Sequence, residues 1–584
     1  MKKHGRFALF LATSFLAVAL GFFLVEPPLA AALIKRGGGW LMFLTFGAFL
    51  WALGQVWRRS PGHWCRDRRE WAALSSIPAG WVILVAHEPF GFKIIMDEIM
   101  LLGTSMSLHF DKLVRVPLRG HDLQGAFVIV DGFVDKRPDF FPFLLSLVHD
   151  VTGYRPENAF ALNAALAFVL LVLVYALGRT TAGRWPAVVA VLLFSGLPLL
   201  AQNATGGGFD LLNLVMIALT LWLAQRFVVT REPPELSALC LATVLLAQTR
   251  YESAFYVVPC AALILWAWWR ERRLVFSWAA AFAPLLLLPV PWHMSGFSQN
   301  GGAWELGSQP NRTGPVALAY VADNLRHAFA FFFDPTGAQP NSMLFSALGV
   351  AAGAGLVVRL GRRRGAREIA ADPPVVARAV FLWALIAQFA FLMVYFWGQF
   401  DDPVIARLSL PTHLLFLLAL WWVIPATRTG RKIWMGIAGL AVVQLWCASI
   451  PAMAAHAYTL QNVQSREVAW RREFIAQRPG RNFLVIDPFS IVWLVHQVSS
   501  TTPAQALRQP EAIAFHLRSR SFANVFVFQR FEIDPATGRA HVRPEFDLGE
   551  IFALEPVEER RLQPYSVSRI SRVIAVRLPG QSLP

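Results

Sequence analysis

The sequence predicts a polytopic α-helical membrane protein with a small extramembrane α/β domain at its C-terminal end. Three observations support this fold class. Of the 584 residues, 56% are hydrophobic and 15% are charged, and apolar runs recur along most of the chain. The basic residues cluster in short loops between those runs. Beyond residue 452 charges become frequent, and the apolar runs shrink to the length of strands.

About thirteen apolar segments approach the roughly 20 residues that a helix needs to cross the hydrocarbon. They cover residues 7–25, 39–57, 71–87, 159–178, 185–201, 209–227, 236–250, 252–269, 275–293, 343–360, 379–397, 408–425 and 433–451. With a cytoplasmic N-terminus, the arginine-rich loops all fall on the inner side, as the positive-inside rule requires. These loops are residues 58–70, 178–184, 270–273, 359–367 and 427–432. Lys35 and Arg36, in the first outer loop, are the exception.

This arrangement predicts that residue 65 lies inside and that residues 97, 300 and 584 lie outside. The net charge of +16 is then a topology signal, so we expect no nucleic-acid partner. We expect a bacterial inner-membrane protein with a cytoplasmic N-terminus and a periplasmic C-terminal domain. The chain has neither a phosphate-binding P-loop nor a GxSxG motif, and its four cysteines lack the spacing of a zinc site.

Three regions follow from these patterns. Residues 1–57 form an N-terminal transmembrane hairpin, and residues 58–452 form a transmembrane module with a long outer loop at residues 88–158. Residues 453–584 form the α/β domain, with strands predicted at "NFLVID", "NVFVFQRFEI" and "SRVIAVRL" and a helix between the first two. The outer loop is too long for a simple connection, and its aromatic and aliphatic residues argue against disorder. We expect short amphipathic helices in it, lying along the membrane surface.

Two adjacent carboxylates, Asp97 and Glu98, stand near the start of this loop in "KIIMDEIMLLGTSM". One interpretation is structural: Asp97 would cap the N-terminus of the following helix, and Glu98 would favour the helix dipole in its first turn. The other is functional, because a carboxylate at the water interface can accept a proton from a hydroxyl group. The pair alone favours the structural interpretation.

Several motifs, in order, resemble the GT-C glycosyltransferases, particularly the protein O-mannosyltransferases and the bacterial aminoarabinose transferase-like enzymes. The acidic pair in "MDEIMLLG" is similar to the opening of that family's outer loop. The stretch from "DKRPDFFPFLL" to "LVYALGR", and the segments "LLAQTRYESAFYVVP" and "ARLSLPTHLLFLLALWW", are similar to its later motifs. Arg250 stands where the family has lysine, and Leu408 stands where an aromatic residue is common. The resemblance covers roughly residues 70–450, and it extends neither to the N-terminal hairpin nor to the C-terminal domain.

The resemblance implies a GT-C-like catalytic module that moves a hexose or pentose, with inversion, from a polyprenyl-phosphate donor to an outward-facing lipid, glycan or protein acceptor. Asp97 would then be the catalytic base, and Glu98 would orient the acceptor or Asp97. Arginine suits the departing phosphate, although snorkelling to the interface explains each arginine separately. The basic positions that would bind the donor phosphate are Lys136, Arg137, Arg250 and Arg407.

The positions that would contact substrate are Asp139, Asp210 and Glu252. For Asp210, helix capping is the structural alternative. A divalent metal ion held by Asp97 and Glu98 is a further option, although adjacent carboxylates predict a metal poorly. Two rival functions stay open: a transporter or flippase of lipid-linked glycans, and a non-catalytic protein of envelope assembly.

Overall fold

The structure is a computed structural model, and it describes residues 3–59, 68–123, 125–299, 314–360, 372–455 and 462–578. Two compact units are present. The first comprises Met1–Gly91, Lys136–Phe143 and Phe160–Ala457, and the second comprises Phe92–Asp135, Leu144–Ala159 and Tyr458–Pro584. Each unit is described by itself.

The first unit is helical, because its sequence is a succession of apolar runs that can satisfy their backbone groups in a membrane only as helices. Its helices are α1 (Lys3–Ala19), α2 (Pro27–Arg59), α3 (Arg68–Leu74), α4 (Ser76–Ala86), α7 (Asn158–Thr181), α8 (Arg184–Ser195), α9 (Pro198–Ala204), α10 (Asp210–Thr230), α11 (Pro233–Ala247), α12 (Val257–Glu271), α13 (Trp278–Leu286), α14 (Pro289–Gln299), α15 (Val321–Phe332), α16 (Met343–Leu360), α17 (Pro373–Val394), α18 (Leu410–Val423), α19 (Arg428–Gln444) and α20 (Ile450–Ala455). Helix α6 (Phe140–Thr152) begins in this unit and continues into the second.

The predicted membrane fold is confirmed. Eight of the described helical segments are long and apolar enough to cross a membrane, or nine when the pair α8 and α9 is taken as one bent span. Each of the thirteen predicted segments coincides with an apolar helix or helix pair, although several are shorter than a full span. Helices α8 and α9 meet at 74°, because Pro198 disfavours helical backbone at the residue before it.

The second unit is built around one mixed sheet. Its strands are β1 (Val116–Leu123), β2 (Ala126–Phe133), β3 (Phe483–Ile486), β4 (Ser499–Thr501), β5 (Asn524–Ile533), β6 (Ala540–Val542), β7 (Phe552–Gln563) and β8 (Ser566–Val576). The strand order is β2-β1-β4-β3-β5-β8-β7, with β6 paired to β5. Strand β3 runs parallel to β4 and β5, and the other pairs are antiparallel.

Helices complete this unit, which contains α5 (Ile95–Phe110), α21 (Val463–Ala476), α22 (Ile491–Leu494), α23 (Pro503–Arg508) and α24 (Pro510–Ser519). The buried faces of β3, β5 and β8 supply a core that includes Leu484, Ile486, Val525, Val527 and Val573. The three strands predicted near the C-terminus are therefore confirmed, with the predicted helical stretch between the first two.

The prediction for the outer loop was wrong in one respect. Helices α5 and α6 occur there, but residues 116–133 form the hairpin β1–β2 instead of another helix. The hairpin joins the C-terminal strands through the pair Gly120 and Ser500. The pairing of β1 with β4 joins residues distant in sequence, so a local pattern could not indicate that the hairpin belongs to the C-terminal sheet. The boundary of a separate domain at residue 453 stays a prediction, as does the sidedness; residues 65, 300 and 584 lie outside the described residues.

Candidate functional site

The nine predicted site residues fall into both units. Asp97 and Glu98 belong to the second unit, and the basic and acidic positions from Lys136 to Arg407 belong to the first.

Within the first unit, Asp210 joins two arginines that are distant in sequence. Its Oδ1 accepts a hydrogen bond from Arg250 Nη1, 40 residues away, and its Oδ2 accepts one from Arg407 Nη1 at 3.1 Å, 197 residues away. Asp210, Arg250 and Arg407 are each 4% exposed. Two buried guanidinium groups beside one carboxylate are held firmly in orientation, because each charge would be costly to bury alone.

Glu252 balances the second positive charge of this cluster. Its Oε1 accepts a hydrogen bond from Arg250 Nε at 2.6 Å. Its Oε2 is buried and has no hydrogen-bond donor within the part of the chain that the structure describes. A buried carboxylate oxygen without a donor is energetically costly, so this atom is suited to accept a bond from a ligand hydroxyl.

Two buried asparagines place the cluster. Asn163 Nδ2 donates to the carbonyl oxygens of Gly206 and Gly208 at 2.9 and 2.8 Å, which fixes the glycine-rich turn before α10. Asn213 Oδ1 accepts bonds from Thr249 and Ser253 at 2.7 and 2.6 Å, so the segment that carries Arg250 is tied to α10 on both sides. These asparagines were not among the predicted site residues.

An aromatic ring lies beneath both guanidinium groups. The ring centroid of Phe209 is 4.6 Å from Arg250 Cζ and 5.8 Å from Arg407 Cζ. Phe209 is the N-cap residue of α10, and Asp210 is its first helical residue. Helix capping, the structural alternative for Asp210, therefore does not apply, because its carboxylate binds the two arginines.

The segment with Lys136, Arg137 and Asp139 approaches the same part of the unit. The backbone N–H of Phe140 donates to the carbonyl of Gln248 at 3.3 Å, two residues before Arg250. Asp139 is 3% exposed, and its Oδ2 lies 3.1 Å from His293 Nε2. Lys136 and Arg137 are half-buried. His293 is a site candidate that the sequence did not single out.

In the second unit, Asp97 and Glu98 lie in the first turn of α5, whose N-cap is Ile94. Glu98 is 2% exposed, and its Oε2 accepts hydrogen bonds from the backbone N–H groups of Lys93 and Ile94. Asp97 is half-buried. The structural alternative for Asp97, an N-cap, does not apply, because Ile94 is the N-cap and Asp97 lies within the first turn. The catalytic role of Asp97 stays a prediction.

Helix α5 is fixed at its middle by a buried imidazole. Ser105 Oγ lies 3.3 Å from His149 Nε2, and Asn158 Nδ2 lies 2.9 Å from His149 Nδ1. Burial, and secondarily the nearby His109, lowers the pKa of His149 to about 3. The ring is therefore neutral at neutral pH, and its contacts hold α5 in place without adding a charge.

The acidic pair fits a metal ion poorly. One oxygen of Glu98 is already engaged by two amides, and no group of three or more His, Cys, Asp or Glu side chains suited to a metal occurs among the described residues. A hard divalent cation generally takes six or more oxygen ligands. We therefore derive no catalytic step from a metal.

Comparison with known proteins agrees with the motifs. A family model described as dolichyl-phosphate-mannose-protein mannosyltransferase matches residues 136–294. No curated protein matches. The matched range contains every predicted site residue of the first unit except Arg407.

Solved structures that are similar to this chain have low sequence identity. Apo ArnT from Cupriavidus metallidurans is 12% identical, with a TM-score of 0.47, over 86% of this chain and 97% of that one. An oligosaccharyltransferase of Archaeoglobus fulgidus is 13% identical, with a TM-score of 0.42, over 82% and 74%. The arabinosyltransferase EmbB from Mycobacterium smegmatis is 15% identical, with a TM-score of 0.34, over 72% and 44%. The predicted resemblance to GT-C glycosyltransferases is confirmed, and the family-model match carries it.

Proposed function

We propose that this chain is a membrane glycosyltransferase that takes a sugar from a polyprenyl-phosphate donor and transfers it, with inversion, to an outward-facing lipid, glycan or protein. The convergence of Arg250 and Arg407 on Asp210 is the observation that carries the proposal. Two oriented guanidinium groups suit a lipid phosphate, because arginine forms paired charge-assisted hydrogen bonds with phosphate oxygens.

The position of the cluster supports this role. Asp210 begins one apolar span, Arg250 directly precedes another, Tyr251–Glu271, and Arg407 lies at the start of a third, Ala406–Val423. The ends of membrane spans lie at the level of the headgroup region, where the phosphate of a lipid is located. Lys136 and Arg137 would add positive charge for the departing phosphate, and Asp139 and Glu252 would accept hydrogen bonds from sugar hydroxyls.

The reaction we propose is a single displacement. The acceptor hydroxyl oxygen attacks the anomeric carbon as the bond between that carbon and the phosphate oxygen breaks. The hydroxyl proton passes to the Asp97 carboxylate, and polyprenyl phosphate leaves with the bonding electron pair. The Glu98 carboxylate accepts hydrogen bonds from two backbone amides. Glu98 would position Asp97 by fixing the first turn of α5.

We also propose the setting that the sequence predicted. The chain would lie in the bacterial inner membrane with its N-terminus in the cytoplasm and its C-terminal residues in the periplasm. The basic loops support this orientation. The match to a mannosyltransferase model covers 136–294, and the sugar transferred by this chain can be a different hexose or a pentose.

The test is a transfer assay with purified protein in lipid nanodiscs, radiolabelled polyprenyl-phosphate sugars and an envelope extract as acceptor. We expect label to leave the lipid with one sugar of a mannose, glucose, galactose and aminoarabinose panel. Intact donor throughout would contradict the proposal. Movement of intact lipid-linked sugar across a vesicle bilayer would favour the transporter instead.

A further inference from the structure

A cavity of about 490 Å³ lies at another end of the helical unit. Its walls come from the end of α7, the start of α8, the ends of α16 and α18, and the starts of α17 and α19. Trp421 of the cavity and Arg407 of the candidate donor site occupy opposite ends of one span, Ala406–Val423. Fourteen helical residues correspond to about 21 Å, so this cavity is distinct from the arginine cluster around Asp210.

The cavity wall is strongly basic. None of the described lining residues is acidic. Four arginines from separate segments line the cavity: Arg184, Arg359, Arg378 and Arg431. Among the residues that the structure describes, Glu70 and Asp372 bring negative charge close to this wall. Glu70 lies 4.0 Å from Arg184 but also binds Arg179 at 2.9 Å, and Asp372 interacts electrostatically with Arg378.

Snorkelling arginines at a membrane surface point separately into water, whereas these four converge. Arg359 Nη1 donates to the carbonyl of Trp422 at 2.6 Å, and Arg378 Nη1 donates to Thr181 Oγ1 at 3.4 Å. These contacts join the ends of four helices around one space. The three predicted inner loops at residues 178–184, 359–367 and 427–432 each contribute a wall residue.

Apart from Thr181 and Thr427, the side chains of the remaining wall are aromatic or apolar. It contains four tryptophans: Trp185, Trp421, Trp422 and Trp434. Tryptophan favours the level of lipid headgroups, where one side of the ring is apolar and the N–H meets polar groups. Trp421 is 5% exposed, and its indole N–H has no acceptor in the described part of the chain. A polar acceptor from a ligand would satisfy it.

We propose that this cavity binds the headgroup of an anionic phospholipid. A phosphodiester supplies one negative charge and several acceptor oxygens for guanidinium groups. Basic pockets between the ends of transmembrane helices are suited to such headgroups. A lipid fits better than a soluble phosphate, because Leu418, Ile424 and Val375 provide apolar wall for the glycerol and the first acyl carbons. The inference does not depend on the proposed sugar transfer.

Native mass spectrometry of the purified full-length protein tests the site, with dioleoylphosphatidylglycerol and dioleoylphosphatidylcholine as probes. We expect the anionic lipid to bind with the higher affinity. Because a hydrogen bond to a charged group is typically worth about 1.5–3 kcal/mol, Arg431→Gln should weaken phosphatidylglycerol binding roughly tenfold or more. Arg431 is exposed, so this substitution is not expected to disturb folding.

Arg428→Gln is the matched control. Arg428 begins the same helix and is also exposed, but it does not line the cavity. We expect its lipid binding to equal that of the unmodified protein. Equal loss in both variants would overturn the site, as would equal binding of the two lipids. Competition by inorganic phosphate at the same concentration as the lipid would overturn the lipid assignment.

Discussion

The helices α5 and α10 both carry acidic residues in their first turn, and the protein uses them in opposite ways. Asp210 opens α10, and its carboxylate reaches two arginines from elsewhere in the chain. Glu98 stands in the first turn of α5, and its carboxylate returns to the backbone directly before its own helix. The helix dipole stabilises the acidic residues at both sites. This local effect therefore does not distinguish the two sites.

The partners do distinguish them. The Oε2 atom of Glu98 accepts hydrogen bonds from two backbone amides directly before its own helix, those of Lys93 and Ile94. Asp210 compensates buried positive charge, so its removal would leave two guanidinium groups with too little negative charge around them. A local cap is primarily structural, whereas a carboxylate that gathers distant arginines organises a site for an anion.

The largest expected effect on stability follows from Asp210→Ala. Breaking a buried ion pair typically costs about 3–5 kcal/mol, because the remaining charge stays buried. We expect a large fall in the thermal unfolding temperature of the purified protein. The control is Asp150→Ala, whose half-exposed carboxylate pairs with His109 and Lys112 and should cost at most about 1 kcal/mol. Similar losses in both variants would contradict the distinction.

The substitution Asp97→Asn should lower turnover strongly and change folding stability little. Asparagine keeps the shape of the side chain and loses a charge in the first turn of α5, worth about 0.3–1 kcal/mol. It cannot take the acceptor proton, so sugar transfer should fall on the order of 10²–10⁴-fold. Turnover of the Asp97→Asn protein is compared with that of the unmodified protein, after thermal unfolding has shown that the two are equally stable. Near-normal transfer would remove the base role from Asp97.

Glu98 should respond to loss of its acceptor oxygens more than to loss of its charge. Glu98→Ala leaves two amides at the start of α5 without their acceptor, which should lower stability by about 1–3 kcal/mol. Glu98→Gln keeps one acceptor oxygen and should lose less. Thermal unfolding of the two variants is the measurement. A glutamine variant as unstable as the alanine variant would show that the negative charge is what matters.

The fold was largely predictable where the signal is local. Apolar runs indicated the helices because each run must satisfy its own backbone in lipid, and short apolar runs of strand length indicated β3, β5 and β8. The hairpin β1–β2 was missed although its strands pair locally, with Leu123 opposite Ala126. Only its attachment to β4, through Gly120 and Ser500, depends on a partner distant in sequence. Helix α2 begins at Pro27, well before the predicted start at residue 39, because helix continues beyond the most apolar part of the segment.

The site was predictable only through resemblance. Capping preference offered a structural alternative for Asp210 that does not apply, because its ion pairs depend on residues 40 and 197 positions away. Polar residues inside apolar runs were a neglected signal: Asn163, Asn213 and His293 each interrupt one. Such residues in membrane segments are expensive unless they bind a partner, and all three do.

The affinity of the purified protein for undecaprenyl phosphate shows whether Arg250 and Arg407 bind a lipid phosphate. The unmodified protein is compared with Arg407→Gln and with a control, Arg231→Gln. Arg231 caps the C-terminal end of α10, opposite to Asp210, and pairs with Glu271. Loss of a charge-assisted hydrogen bond, typically about 1.5–3 kcal/mol, predicts a Kd raised roughly 10- to 100-fold in Arg407→Gln. The Kd of Arg231→Gln should be unchanged. An unaltered Kd in a folded Arg407→Gln protein would contradict the account.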